Sequence, residues 1–279
     1  MHIKDEIVFE IENLVRNCEL NKNDEYGFKY FDMPIVGFAS TNNPLFSKYK
    51  EIIGDFHYHP CEFFDPNIKN GTVIVWILPI SKEIRSSNAS KVKYPSLFWA
   101  LQREYGEKFN MYIRKHMQQF LINKGFKAIS PMLSEKWQRF EKTDTGIASN
   151  WSERHAAFAA GLGTFSLSDG LITKKGIAHR CGSIITDAIL DTTERNFEFH
   201  LANCLFYNKK SKCGVCIKRC PAKAITENGH NKDLCAEYAY TTIKKAKGKE
   251  YQVNITGCGL CQTKVPCEHS LPFRDKNID

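Results

Sequence analysis

No apolar run in this 279-residue sequence approaches the roughly twenty residues that a membrane helix needs. The longest candidate, Thr72 to Ile80, has the length and β-branched content of a buried strand instead. A charged-then-apolar leader is also missing: Met1-His-Ile-Lys-Asp-Glu is amphipathic, so a cytoplasmic location and no membrane partner are expected. Apart from two sets of cysteines there is no internal repeat, and there is no low-complexity segment. Acidic residues are in deficit, 31 Asp and Glu against 39 Lys and Arg, which leaves a net charge of +8. With 42% hydrophobic and 25% charged residues the composition is that of a folded globular chain, which excludes general disorder. The length suffices for one sizeable core and a smaller module.

Cysteine is what the later part of the chain has in excess. Eight of the 11 cysteines fall between Cys204 and Cys267. Cys204, Cys213, Cys216 and Cys220, followed by Pro221, read C-x8-C-x2-C-x3-C-P. After the solitary Cys235, Cys258, Cys261 and Cys267 read C-x2-C-x5-C. Such spacing makes two four-thiolate metal sites the natural reading. The C-x2-C-x3-C-P core is the later part of the run that bacterial ferredoxins use, whose last cysteine ligates the other cluster. Lys210 stands where that run has its first cysteine, and Cys204 substitutes from upstream. By the same crossing rule, Cys204, Cys213, Cys216 and Cys267 would hold one [4Fe-4S] cluster. Cys220 would cross over to join Cys235, Cys258 and Cys261 around a second. Two structural zinc sites are the competing reading, because zinc also takes four cysteines from paired C-x2-C knuckles. The Cys220-Pro221 pair and the interleaved order favour iron. A disulfide framework ranks last, since C-x2-C pairs without a secretory leader point to metal.

Upstream, Ile7, Val8, Ile11, Leu14 and Val15 at helical spacing predict an amphipathic helix over Ile3 to Arg16. Pro34 to Ala39 reads as a short strand. Thr41 to Asn70 reads as irregular, with Pro44, Pro60 and Pro66 breaking any periodicity. Inside it His57, His59 and Cys61 alternate, so an extended segment would present them on one face as a possible metal site. Gly71 to Pro79, apolar on both faces, predicts a strand in the sheet centre. Ser96 to Asn123 reads as a long helix ended by Gly125, and Ser149 to Ala160 as a second helix ended by Gly161. Gly161-Leu162-Gly163 follows a helix rather than a strand, which argues against a Rossmann phosphate loop. The paired glycines suggest a tight backbone passage against a large ligand. Gly170 to Thr173 and Ala178 to Asp187 look like two strands joined at Lys174-Lys175-Gly176. The first domain is expected to cover 1–197 and the cysteine module 198–279.

Two lysine-rich groups flank the cysteines: Lys209, Lys210, Lys212, Lys218, Arg219 and Lys223, and then Lys244, Lys245, Lys247 and Lys249. A basic face of this kind docks an acidic electron donor or a nucleic acid, or is simply solvated surface. Cys18, Cys61 and Cys181 read as small buried hydrophobes. Of these, Cys181, ahead of Gly182 in a strand, is the one placed to face a cofactor.

The order of these motifs resembles the epoxyqueuosine reductases and, more distantly, the corrinoid-dependent reductive dehalogenases. The matching pieces are Glu153-Arg154, Gly161-Leu162-Gly163, Gly182-Ser-Ile-Ile-Thr-Asp187, Cys213-x2-Cys216-x3-Cys220-Pro221, Cys235 and Cys258-x2-Cys261. The resemblance is strong over 150–270, weak over 70–150 and absent before that. It implies an α/β (α+β) fold: a nitroreductase-like domain that cradles a corrinoid (cobalamin), followed by a bacterial-ferredoxin-like two-cluster domain. It also implies two [4Fe-4S] clusters that feed electrons to cobalt, a low-potential donor such as a ferredoxin or flavodoxin, and a cytoplasmic oxidoreductase. A flavin, suggested only by the fold, ranks behind the corrinoid.

Three departures bear on what carries over. The family's proton-donating aspartate, seven residues before the arginine of the Glu-Arg pair, falls on Ile147, with Asp144 the nearest carboxylate upstream. Ser166-Leu-Ser-Asp169 replaces the family's Gly-Lys-Asn, and Thr164 its tryptophan. The sequence stops at Asp279 without the helical-repeat domain that helps the full-length enzymes hold tRNA, which argues against tRNA as partner. Asp144, Glu153 and His155 are the candidates for proton transfer. Arg154, Gly161, Leu162, Gly163 and Cys181 are the candidates for cofactor contact. The alternative is an electron-transfer or activating protein, docking a partner such as a corrinoid protein without substrate chemistry of its own.

Overall fold

The β-branched run Thr72–Pro79 forms an inner strand of a four-stranded antiparallel sheet in the computed structural model, which describes residues 2–64, 70–197, 199–207 and 212–272. Pro66, Lys209 and Lys210, and Glu198 at the start of the expected second domain, lie outside the described residues. The spatial order is Ile35–Ser40, Thr72–Pro79, His179–Thr186, Ala128–Ile129. All eight residues of Thr72–Pro79 are buried. Side chains alternate across a strand, so a strand apolar at every position needs cover on both faces. Ile74, Trp76 and Leu78 join one core with Ile7 and Ile11 of the helix Ile3–Asn17 and with Phe109, Ile113 and Met117 of the helix Glu107–Asn123. Val73, Val75 and Ile77 join the other, with Phe46 and Tyr49 of the helix Pro44–Ile53 and Ala156 to Ala159 of the helix Glu153–Ala159. The result is a mixed α/β fold with small antiparallel sheets, helices lying on both faces of the largest.

Several expectations are corrected. The segment Thr41 to Asn70 is not irregular throughout: it holds the ten-residue helix Pro44–Ile53. Pro44 takes the first helical position, where its missing N–H costs nothing, and the Asn43 side chain accepts from the Leu45 N–H. The predicted long helix is interrupted, Leu97–Leu101 passing through a π turn at Gln102–Gly106 before Glu107–Asn123. Leu171–Thr173 and His179–Thr186 do not pair with each other. The first pairs with Gly163–Phe165 and the second with Thr72–Pro79.

A third apolar cluster, Leu167, Ile172, Ile177, Cys204, Ile225 and Val265, ties the cysteine-rich segment to the front of the molecule. Ile177 N–H donates to Cys267 O (2.8 Å), Asn203 Nδ2 donates to Ile172 O (2.9 Å), and Arg85 pairs with Glu268 (3.0 Å) where both side chains are largely buried. Among the described residues no helix is long and apolar enough to cross a membrane.

Candidate functional site

The eight clustered thiols sort into two neighbouring sets. Cys204, Cys213, Cys216 and Cys267 lie within one another's electrostatic reach: burial first, then the neighbouring thiols, pushes Cys267 up to about 12 and Cys216 to about 11. They border a small cavity of about 30 Å³ walled by Ser166, Ser168, Ile172, Ile177 and Val265. Ser166 Oγ and Ser168 Oγ are 3.0 Å apart. One hydroxyl proton links the pair, which leaves the other hydroxyl free to donate into the cavity. Among the described residues no three His, Cys, Asp or Glu side chains close on a single ion; the thiols of this set surround a space instead.

Cys220, Cys235, Cys258 and Cys261 make the second set: Cys258 responds to Cys235 and Cys220, and Cys261 to all three. Burial first, then these neighbours, raises Cys258 to about 12. Cys261 also feels Cys216 and borders the cavity of the first set, so the two sets are adjacent. The loop carrying Cys258 and Cys261 is held from several sides. Gly259, at φ +64°, lies flat against the Trp99 indole; a Cβ there would sit 1.8 Å from Trp99 Cζ2. The π turn presents Glu104, which accepts from the Asn254 N–H (2.6 Å) and the Ile255 N–H (3.3 Å). Arg219, read from sequence as part of a basic surface group, is a brace: Nε donates to Leu260 O (3.0 Å) and Thr263 O (3.1 Å), Nη1 to Lys91 O (2.8 Å).

A polar recess adjoins the second set. Arg103, on the π turn, lays its stem over Gly257 and stacks on the Tyr240 ring at 5.6 Å, with Nη2 3.5 Å from the Tyr240 hydroxyl. Burial opposes ionisation of Tyr240, but Arg103 and Arg180 outweigh it and lower its pKa; the Cys235 thiol is also within reach. Arg180 Nε lies 3.8 Å from Glu107 Oε2. The buried Arg114 donates to Glu107 Oε1 (3.0 Å), Glu153 Oε1 (3.3 Å) and Cys181 O (3.0 Å). Burial, with Glu153 second, pushes the Cys181 thiol up to about 12.

Glu153, Arg154 and His155 start one helix, and successive helical residues point about 100° apart. Glu153 faces inward to Arg114. Arg154 donates to Asp169 O; the Asp169 carboxylate lies 3.1 Å from His230 Nδ1, and His230 in turn bonds the Cys235 thiol. His155 is wedged between Tyr49 and Phe165, its Nδ1 2.7 Å from Ser152 Oγ, and burial drops its pKa to about 3. Asp144 lies exposed on the loop before the helix, away from that interior. Gly161 and Gly163 do permit a close passage, but the chain itself fills it. A Cβ at Gly161 would meet Glu194 O at 2.6 Å, and one at Gly163 would meet Ile172 O at 2.4 Å. Leu162 packs beside them over Gly37. His57, His59 and Cys61 do not share a face. His57 is interior, its Nε2 accepting from the Ser152 N–H, while His59 caps the short helix Pro60–Phe63 by accepting from the Cys61 N–H. Sequence reading missed Arg103, Glu107, Arg114, Arg180 and Tyr240. The signal available was Asn110 and Arg114, four apart beside the apolar stripe of Phe109 and Ile113, a polar pair placed toward a core.

No protein-family model matches the sequence, nor does any curated protein. Solved structures do share the fold. Epoxyqueuosine reductase from Bacillus subtilis matches 98% of this chain at 14% identity with a TM-score of 0.53, and 67% of its own length is covered. An epoxyqueuosine reductase holding an epoxyqueuosine-modified tRNA-Tyr stem loop matches 95% of the chain at 16% identity and TM-score 0.50, with 65% of its length covered. A catabolic reductive dehalogenase in complex with 3-bromo-4-hydroxybenzoic acid matches 72% of the chain at 20% identity and TM-score 0.51, with 26% of its length covered. The chain therefore has the fold common to these two groups of reductases, and it spans about two-thirds of the length of the epoxyqueuosine reductases.

Proposed function

We propose that this protein is an iron–sulfur oxidoreductase that carries single electrons inward to a reducible acceptor at the recess beside Cys235. The observation that carries the reading is the sorting of eight thiols into two adjacent sets of four, with Cys261 bordering the cavity of the first. Four neighbouring thiols are a donor set suited to an iron cluster, whose positive charge would hold them together as thiolates. Cys204, Cys213, Cys216 and Cys267 would hold one [4Fe-4S] cluster; Cys220, Cys235, Cys258 and Cys261 would hold the other. When bound, the pair would supply one-electron storage at two neighbouring points. The chain's own residues do the rest. Trp99, Glu104 and Arg219 fix the second thiol loop, Ser166 and Ser168 present a hydroxyl to the first set, and Arg103, Arg180 and Tyr240 define where the acceptor sits.

A corrinoid is the acceptor that the resemblance implies. The Gly161–Gly163 passage offers it no cradle, being filled by Glu194 and Ile172, so no step is routed through cobalt. Glu153, inward-facing with Oε2 buried and unpartnered, is the best placed of the three proton-transfer candidates. His155, neutral down to acid pH and bonded to Ser152, acts as packing. The second reading is an electron carrier for a partner such as a corrinoid protein. It is favoured by Ile147 at the family's aspartate position and by the exposure of Asp144. The tRNA held by one structural neighbour makes tRNA a substrate to be tested, despite the expectation from sequence.

Anaerobic reconstitution with iron and sulfide, followed by titration with cob(II)alamin and EPR, tests both readings. About eight irons per chain and a protein-altered cobalt signal support the reductase reading. The same iron with an unaltered cobalt signal removes the corrinoid as acceptor and leaves the electron relay standing. Zinc in place of iron contradicts both.

A further inference from the structure

The recess beside the second thiol set carries more positive charge than its carboxylates neutralise. Arg103, Arg114 and Arg180 face Glu107 and Glu153. Arg114 takes both carboxylates at hydrogen-bond distance, 3.0 Å and 3.3 Å. Arg180 is left with a 3.8 Å approach to Glu107, too long for a good hydrogen bond. Glu107 lies within the field of Arg103; the Arg103 Nη2 makes a 3.5 Å contact to the Tyr240 hydroxyl, and its Nε is buried without a partner. Arg103 and Arg180 repel each other across the recess. Two guanidinium forks with unused donors, both bearing on Tyr240, are an arrangement that a planar oxyanion satisfies. Solvent reaches the place, since Tyr240 is 40% exposed and the Arg180 side chain 24%. Both arginines are positioned by structure: the Arg103 stem rests on Gly257, and Arg180 lies on the strand paired with Thr72–Pro79.

We propose that this recess is a binding site for the oxyanion of a substrate, a carboxylate or phosphate group gripped between Arg103 and Arg180. The site names the substrate class of the oxidoreductase proposed above, and in that role it rests on that reading; anion binding itself does not. A bound anion lies over Tyr240 and within the field of Cys235, so the rest of the substrate is delivered to the second thiol set. It also relieves the repulsion between the two arginines, one of which lies on the π turn beside the loop of Cys258.

The test is calorimetric titration of the anaerobically reconstituted protein with inorganic phosphate and with butyrate. The comparison is among the unaltered chain, Arg103→Gln, Arg180→Gln and the surface variant Lys249→Gln. Saturable one-to-one binding of at least one anion is expected, weakened about tenfold or more by either arginine change, the loss of a charge-assisted pair, and unchanged by Lys249→Gln. Preference for butyrate points to a carboxylate substrate. Preference for phosphate points to a phosphate ester, and competition by cob(II)alamin then assigns it to a cofactor rather than a substrate, which overturns the substrate role. Equal weakening by all three variants, or by none, overturns the site. Should the variants not fold, phenylglyoxal modification of the unaltered chain decides: Arg103 and Arg180 must be protected by the anion, and lack of protection overturns the proposal. A chain that holds iron but binds no anion loses only this inference; one that binds anions but holds no iron loses only the electron-relay reading.

Discussion

The two thiol sets sit side by side, yet they are built differently. The first set borders a small, mostly apolar cavity whose polar wall is the hydroxyl pair of Ser166 and Ser168. The second is clamped: Trp99 against Gly259, Glu104 on two backbone N–H groups, and Arg219 on two carbonyls, with the Arg219 charge felt by Cys258 and Cys261. A nearby positive charge stabilises the reduced, more negative state of a cluster, so the second set is the one built for the higher potential. With clusters bound as proposed, electrons would run downhill from the first set to the second. The contrast teaches that the clamp of Trp99, Glu104 and Arg219, more than the thiol spacing, distinguishes the two sets.

The largest effect should come from removing one ligand in either set. Cys204→Ser is expected to lose the first set's iron and Cys261→Ser the second's, each retaining about four irons of about eight. Iron analysis and EPR check this. Loss of all iron from both variants breaks the view of two separable centres.

Gly259→Ala comes next. Its Cβ runs into Trp99, and the backbone sits at φ +64°, so overpacking should cost about 1–3 kcal/mol in a denaturant melt. The second set should load iron poorly while the first remains filled. Wild-type stability with full iron in both sets removes the clamp from the account.

Acid should strike the front of the molecule before either set. His155, His57 and His179 are held neutral chiefly by burial, with pKa values of about 3, 4 and 4 against an ordinary 6.5. Folded values below the unfolded one mean that the unfolded chain binds the extra protons. Stability is therefore full above pH 6.5 and falls as pH drops toward 4, by about 1.4 kcal/mol per pH unit for each histidine. Melting of a His155→Gln variant across this range should show a shallower fall; an unchanged slope contradicts the assignment.

The smallest effect belongs to the hydroxyl pair. Ser166→Ala with Ser168→Ala removes a donor from the first cavity, so the potential of that centre should fall while that of the second stays put. A shift of the second centre alone reverses the assignment of the wall.

Much of this architecture is legible in the sequence wherever one physical signal dominates. Thr72–Pro79 is apolar at every position, and only a strand covered on both faces accommodates that. The C-x2-C turns bring the cysteines of the later chain near one another, Cys267 beside Cys204, Cys213 and Cys216, and Cys220 beside Cys258 and Cys261; their division into two iron sites is the proposal. Pro44 misled because proline breaks a helix inside but starts one well. His179–Thr186 finds a longer apolar partner in Thr72–Pro79, which leaves Leu171–Thr173 to pair with Gly163–Phe165. The π turn, and with it Arg103 and Glu104, leaves no periodic trace in the sequence. Arg180 and Tyr240 meet Arg103 only through tertiary packing, so the recess could not be read in advance.

The most direct measurement is a potentiometric titration of the reconstituted protein followed by EPR. The account predicts two separable one-electron transitions, with the centre lost in Cys204→Ser at the lower potential and the centre lost in Cys261→Ser at the higher. The reverse order, or a single transition, would contradict the direction of electron flow argued from Arg219 and the π turn.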